Sequence, residues 1–243
     1  MDMLIVTTES HRRLADRFFL PTLPTANGAV IRERRLDVVG EGDFDSESWQ
    51  QGVTAKLGWA LDYLGSVPDN ASFVLSDVDI QFFPGFSTEA LNDTFDRSGT
   101  DVLFQKEHSS SKSVLVNTGF YIARNTPWLR TLLADALALC ADVKNDQTAI
   151  NELLDADDLG TRWGFLPLAY YARTQGFPPP RDILLHHANF SGSVDEKISQ
   201  MQRVRQYVTG NALQKATATA AEGWEYATSG KLRMWVRVKV KGR

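Results

Sequence analysis

Short apolar runs alternate along the chain with stretches in which apolar residues recur at helical spacing. Residues 4–7 form an apolar run that ends in Thr7-Thr8-Glu9-Ser10 and read as a buried strand followed by a loop. Leu14, Phe18 and Phe19 then share one side of a helix that Pro21 and Pro24 bring to an end. Residues 36–39 are a second expected strand. A turn-rich loop over 40–45 follows, with Asp45 or Ser46 as cap of the next helix. Trp49, Val53, Leu57, Ala60, Leu61 and Leu64 predict that this helix is long, with Gly65 as its stop. Residues 73–75, 80–83, 102–105 and 114–123 read as strands, the last broken at Asn117-Thr118-Gly119. Pro127 suits the first position of a helix through Leu132, Leu133 and Leu137. Residues 146–154 predict a short helix, 183–185 lead as an apolar run into His186-His187, and Asp195 can open a helix to about Tyr207.

This alternation of strands and helices predicts an α/β fold with a mixed, mostly parallel sheet covered by helices on both faces. In such sheets ligands bind outside the carboxyl ends of the strands. Residues 231–241 differ, because Leu232, Met234, Val236, Val238 and Val240 alternate with Arg233, Trp235, Arg237, Lys239 and Lys241. That is a strand of period two with a cationic face, either an edge guarded by charge or a contact for an anionic partner or membrane. We therefore divide the chain into a main domain over 1–210 and an extension over 211–243 packed on it.

Composition narrows the function classes. At 43% hydrophobic and 23% charged residues, a chain of 243 residues can build one sizeable core. A net charge of −4 argues against a general nucleic-acid binder. Cys140 is the single cysteine, so no intrachain disulfide can form. The N-terminal apolar run lacks a basic flank and is too short for a signal peptide. No stretch reaches transmembrane length, and the expected location is cytoplasmic. Neither G-x-G-x-x-G nor a Walker A sequence is present.

The chemistry concentrates at strand ends. D-x-D occurs at Asp43/Asp45, Asp77/Asp79 and Asp155/Asp157. Only Asp77/Asp79 directly follows an apolar strand; helix capping and solvation account for the other two. Two carboxylates one residue apart, where a strand leaves the sheet, can reach one hard cation or its water shell. His186-His187 follows another apolar run. Adjacent residues on a strand face opposite ways, so only one imidazole can join that site. We choose His187, because the loop begins beside it. Mixed oxygen and nitrogen ligands suit Mn²⁺, with Mg²⁺ the second option. Lys197, near a helix start, is a candidate for a diphosphate. Gly119 permits close backbone approach, and Asn117 and Thr118 offer short polar groups for hydroxyls. Asp146 reads either as a plain helix cap or as a carboxylate presented to a sugar.

These residues, taken in order, resemble the nucleotide-diphospho-sugar transferase family of GT-A-fold glycosyltransferases with a DxD motif. The resemblance runs from the N-terminal strand with Thr7 and Thr8 and the helix carrying Lys56 to Leu75-Ser76-Asp77-Val78-Asp79-Ile80. It continues through Val116-Asn117-Thr118-Gly119-Phe120, Asn145-Asp146-Gln147 and His187-Ala188-Asn189-Phe190 with Gly192 and Lys197. It implies a hexosyl- or pentosyltransferase that moves a sugar from a UDP- or GDP-sugar, with Mn²⁺ or Mg²⁺, to a hydroxyl of a glycan or glycoconjugate. Asp77, Asp79 and His187 would hold the metal. Thr7, Thr8, Lys56, Asp77, Asn117, Thr118, Gln147 and Lys197 would bind the donor. Asp146 and Asp79 would stand at the reacting centre. Asp146, Glu107 and His108 are the candidate bases for an inverting enzyme. The competing readings are a sugar-nucleotide nucleotidyltransferase, which lacks its usual Gly-rich basic loop here, and a non-catalytic nucleotide-sugar-binding module.

Overall fold

The computed structural model of the chain describes residues 1–24, 28–38, 40, 43 and 46–228. Strands β1 (Asp2–Thr8), β2 (Val30–Leu36), β3 (Ser72–Ser76), β4 (Ile80–Phe82), β5 (Val102–Lys106), β6 (Val116–Arg124), β7 (Trp163–Phe165), β8 (Tyr170–Ala172) and β9 (Leu185–His187) alternate with helices. The helices are α1 (residues 12–22, π-helical over Ala15–Phe19), α2 (Glu47–Ser66), α3 (Thr88–Ser98), α4 (Pro127–Val143), α5 (Asp146–Leu153), α6 (Val194–Thr209) and α7 (Ala212–Thr228).

The main sheet has the order β2-β1-β3-β6-β5-β7. β1 runs parallel to β2 and β3, β5 runs parallel to β7, and β6 is antiparallel to both of its neighbours. The sheet is mixed and covered on both faces. Alternation along the strands explains this: Leu4, Phe73, Leu75 and Tyr121 meet Leu57, Leu64, Leu129 and Leu133 of α2 and α4. Met3, Ile5, Val74 and Ile122 face the other way, against Phe19, Leu91 and Phe95 of α1 and α3. A smaller sheet, β4-β9-β8, hangs beside the carboxyl end of β3. It carries His187 back beside the D-x-D turn, through the register Ile80↔His187 and the bond from the Ala188 amide to the Asp79 carbonyl at 2.9 Å.

Several expected elements shift. The second strand is Val30–Leu36 rather than 36–39, and Val39 lies outside the described residues. Its Val-Ile-Arg-Glu-Arg-Arg-Leu sequence carries no apolar run, because this edge strand faces solvent. Its arginines find partners there: Arg32 pairs with Asp2, Arg34 with Asp62 and Arg35 with Glu9. β6 is not broken at Asn117-Thr118-Gly119. It continues, but its pairing with β5 slips, from Phe104↔Tyr121 to Gln105↔Asn117, so residues 118–120 bulge out of register. Ser46 caps α2 by accepting from the Trp49 amide at 3.2 Å. Pro127 opens α4 behind the Thr126 cap. Asn145, not Asp146, caps α5, accepting from the Thr148 amide at 3.0 Å. Ser193 caps α6, which begins at Val194, one residue before the expected Asp195.

Helix α7 is docked by charge. Glu222 is buried and accepts from Arg203 at 3.0 Å and from Arg173 at the end of β8. The expected cationic strand over 231–241 lies outside the described residues. Among the described residues, no helix is long and apolar enough to cross a membrane.

Candidate metal and nucleotide-sugar site

β1 and β3 end side by side, and the bulge in β6 begins beside them. Together with α2, α5 and the start of α6 they enclose a cleft of about 590 Å³. Asp77 is fixed as β3 ends, its amide donating to the Gly119 carbonyl at 2.7 Å. Asp79 follows, 3% exposed, at the start of β4. The Lys197 ammonium lies 2.5 Å from Asp79 Oδ2. His187 Nε2 lies 3.4 Å from Asp79 Oδ1 and 3.7 Å from Asp77 Oδ2. One ligand atom from each of Asp77, Asp79 and His187 falls within 4.8 Å of the others.

Hydrogen bonds fix the His187 tautomer. Gln105 donates through Nε2 to the Tyr170 carbonyl at 3.1 Å, so its Oε1 is the atom 3.2 Å from His187 Nδ1. Nδ1 must then carry a hydrogen, and Nε2 is the nitrogen turned toward the two carboxylates. Asp79 Oδ1 is buried with no hydrogen-bond partner. An orphaned, buried carboxylate oxygen beside an imidazole nitrogen and a second carboxylate is a donor set that fits a divalent cation. Gln105 orients His187 as an outer partner of a ligand histidine does. Gly119 completes the cradle, since a Cβ there would lie 2.1 Å from His187 Cε1.

Charge balance organises the rest. Burial opposes the Lys56 ammonium, but Asp146 at 2.7 Å and Asp77 at 2.9 Å outweigh it and hold the amine charged well above its ordinary range. Burial likewise opposes the Asp79 carboxylate, and Lys197 and His187 outweigh it, keeping that carboxyl well below the usual range. His11 lines the same cleft; burial, with Lys197 adding, pushes it down to about 4, so it is neutral at neutral pH. Thr118 donates to Asp146 Oδ2 at 3.1 Å. Lys197 sits in the first turn of α6, where the helix dipole also favours an anion.

No protein-family model matches the sequence, and no curated protein matches it. Solved structures do. A glycosyltransferase involved in the glycosylation of the major capsid of PBCV-1 superposes with a TM-score of 0.56 at 12% identity, over 83% of this chain and 100% of that one. Mouse xyloside xylosyltransferase 1 gives 0.52 at 11% identity, over 80% and 100%. The glycosyltransferase GlyE of Streptococcus pneumoniae TIGR4 gives 0.51 at 12% identity, over 81% of this chain and 59% of that one. The chain has the GT-A glycosyltransferase fold.

Within this GT-A fold, Thr8, Lys56, Asp77, Asp79, Thr118, Asp146, Gln147, His187 and Lys197 all line the one cleft. Thr7 and Asn117 do not. Thr7 alternates away from Val6 and Thr8, and its hydroxyl donates to Glu33 on β2 at 2.5 Å. Asn117 turns behind the cleft and donates to Glu107 Oε2 at 2.6 Å, holding that cleft carboxylate in place. His186 faces away from the metal cluster, toward Gln81. Sequence reasoning did not single out Gln105, His11 or Trp49 as site residues. Trp49, Gly52, Val53 and Lys56 lie on one face of α2 and all line the cleft. Their helical spacing was the available signal, but it reads equally as a core stripe.

Proposed function

We propose that this chain is a metal-dependent glycosyltransferase that moves a sugar from a UDP- or GDP-sugar to a hydroxyl of a glycan or glycoconjugate. The observation that carries this is the orphaned Asp79 Oδ1 facing Nε2 of His187, with Lys197 on the other carboxylate oxygen. Asp77, Asp79 and His187 would hold Mn²⁺ or Mg²⁺. When bound, such an ion neutralises charge growing on the leaving diphosphate. Lys197 and the α6 amino end bind the phosphates. Thr8, Lys56, Thr118 and Gln147 complete the donor pocket. Asp146, held by Lys56 and Thr118, is rigid enough to orient a sugar hydroxyl beside Asp79 at the reacting centre. We assign residues 1–210 to the catalytic domain, 211–243 to an extension packed on it, and the protein to the cytoplasm, where its single cysteine stays reduced.

A thermal-shift panel of nucleotide sugars with Mn²⁺ tests this reading. One donor class is expected to raise the Tm, and a chelator to abolish the shift. A flat panel argues against a sugar-nucleotide site. Pyrophosphate release from a nucleoside triphosphate and a sugar phosphate would instead identify a nucleotidyltransferase.

Gly119→Ala makes a sharper local test. The added methyl overlaps the His187 ring, so the imidazole must leave its place. Mn²⁺ affinity is expected to fall about 10- to 100-fold, with a stability loss of about 1–3 kcal/mol from overpacking. Calorimetry and thermal denaturation read the two effects; unchanged Mn²⁺ affinity contradicts the role given to His187.

A further inference from the structure

Away from the cleft, a groove of about 380 Å³ lies where α1, α6 and the first turn of α7 meet. It is lined by Arg17, Arg205, Phe18 and the glutamines Gln202, Gln206 and Gln214. Among the described residues, no carboxylate lines it.

Arg205 is held as a ligand-binding arginine is held. Its Nε donates to Gln81 Oε1 at 3.1 Å. Gln81 is fully buried, and its own Nε2 donates to the Met201 carbonyl at 2.8 Å and faces His186 Nδ1 at 3.1 Å. That chain fixes the amide and, through it, the plane of the guanidinium. The guanidinium carbon also lies 5.2 Å from the centroid of the buried Phe18 ring, and that of Arg17 lies 5.4 Å from it.

The charge here is uncompensated. Arg12, Arg32, Arg34, Arg124, Arg130 and Arg203 each pair with a carboxylate, but neither Arg17 nor Arg205 has one among the described residues. Nη2 of Arg205 is covered by protein yet has no acceptor. Burial, with the Arg17 charge adding, pushes this guanidinium below its usual range. Two like charges over one ring, in a groove of amides, leave a standing cost that a bound anion removes.

We propose that this groove is a second binding site, for a phosphate monoester, gripped by Arg17 and Arg205. Two guanidinium charges match a dianion with several acceptor oxygens better than a single carboxylate. The glutamine amides suit hydroxyls on the organic part. The site stands apart from the cleft, since Arg205 lies about 12 Å along α6 from Lys197. Its ligand would tie α1, α6 and α7 together.

Calorimetric titration of the full chain with inorganic phosphate, in chelator, tests the site. Saturable one-site binding is expected. Arg17→Gln, a change at an exposed side chain, and Arg205→Gln should each weaken it about ten-fold or more, and Lys197→Met should leave it unchanged. Competition by glycerol phosphate would show that the ligand is a soluble ester. Arginine-dependent co-sedimentation with phosphatidic acid vesicles would show that it is a lipid headgroup. Absence of saturable binding, or binding lost in Lys197→Met and kept in Arg17→Gln, overturns the proposal.

Discussion

Replacing Asp79 by asparagine is expected to lower sugar transfer by about 100- to 1,000-fold while the protein stays folded. The side chain keeps its shape, so β4 and the Ala188 amide contact to the Asp79 carbonyl persist. What disappears is the charge that Lys197 and His187 face. A cation held there would lose a ligand, and Lys197 loses its Asp79 partner. Circular dichroism and a transfer assay separate folding from chemistry. A folded variant with full activity would remove Asp79 from the reacting centre.

Lys56→Met is expected to act first on stability. Lys56 is buried and satisfies two carboxylates, Asp146 and Asp77, from one ammonium. Methionine fills the space but leaves both acids without their cation. Breaking a buried pair in this way costs about 3–5 kcal/mol, a large part of the net stability of an ordinary domain. The pH dependence has a definite sign. The folded amine sits above its ordinary value of 10.5, so its contribution is fully present below that value. It is lost only as pH rises through the higher folded value. The gap between wild type and variant should therefore persist from neutral pH into alkali. It should narrow in acid, where Asp77, already pushed up by burial and now without Lys56, takes up a proton in the variant. Denaturant titration across pH measures it; the absence of any gap from neutral pH to about pH 10 contradicts the ion-pair account.

The parts of this molecule that were legible in the sequence are those where burial leaves a pattern. β1, β3 and β5 are apolar runs because both faces of the sheet are covered, and α2 and α4 show their stripes for the same reason. Asp77 and Asp79 stood out because an apolar strand led into them. β2 was misplaced because an edge strand that keeps its arginines in ion pairs has no apolar signature. β7 and β8 are three residues long, too short for a period to show. Helix α7 was not expected either. Its apolar residues Leu213 and Trp224 are largely exposed, and what docks it is the buried Glu222 rather than a stripe.

The site divides along the same line. Residues that carry their chemistry in their type, such as Lys56, Asp146, His187 and Lys197, could be proposed in advance. Residues that act through geometry could not. Gln105 matters because its amide is pinned by a carbonyl on β8. Glu107 was a candidate base by its type, but nothing in the sequence showed that Asn117 and Asn189 hold it, through bonds of 2.6 and 3.5 Å. Thr7 and Thr8 were proposed together, and strand alternation turns only Thr8 to the cleft, which two threonines in a row do not reveal. Gly119 was expected to allow close approach. What approaches is the His187 ring, so the glycine serves a ligand side chain as well as the chain path.

In the proposed function, Asp77, Asp79 and His187 hold a cation that in turn holds a nucleoside diphosphate. Titration calorimetry of UDP and GDP against the full chain, with Mn²⁺ and then with chelator, tests it most directly. One nucleotide should bind at least about ten-fold more tightly with the metal, a coupling of about 1.4 kcal/mol or more. Equal affinity with and without the metal would contradict the account.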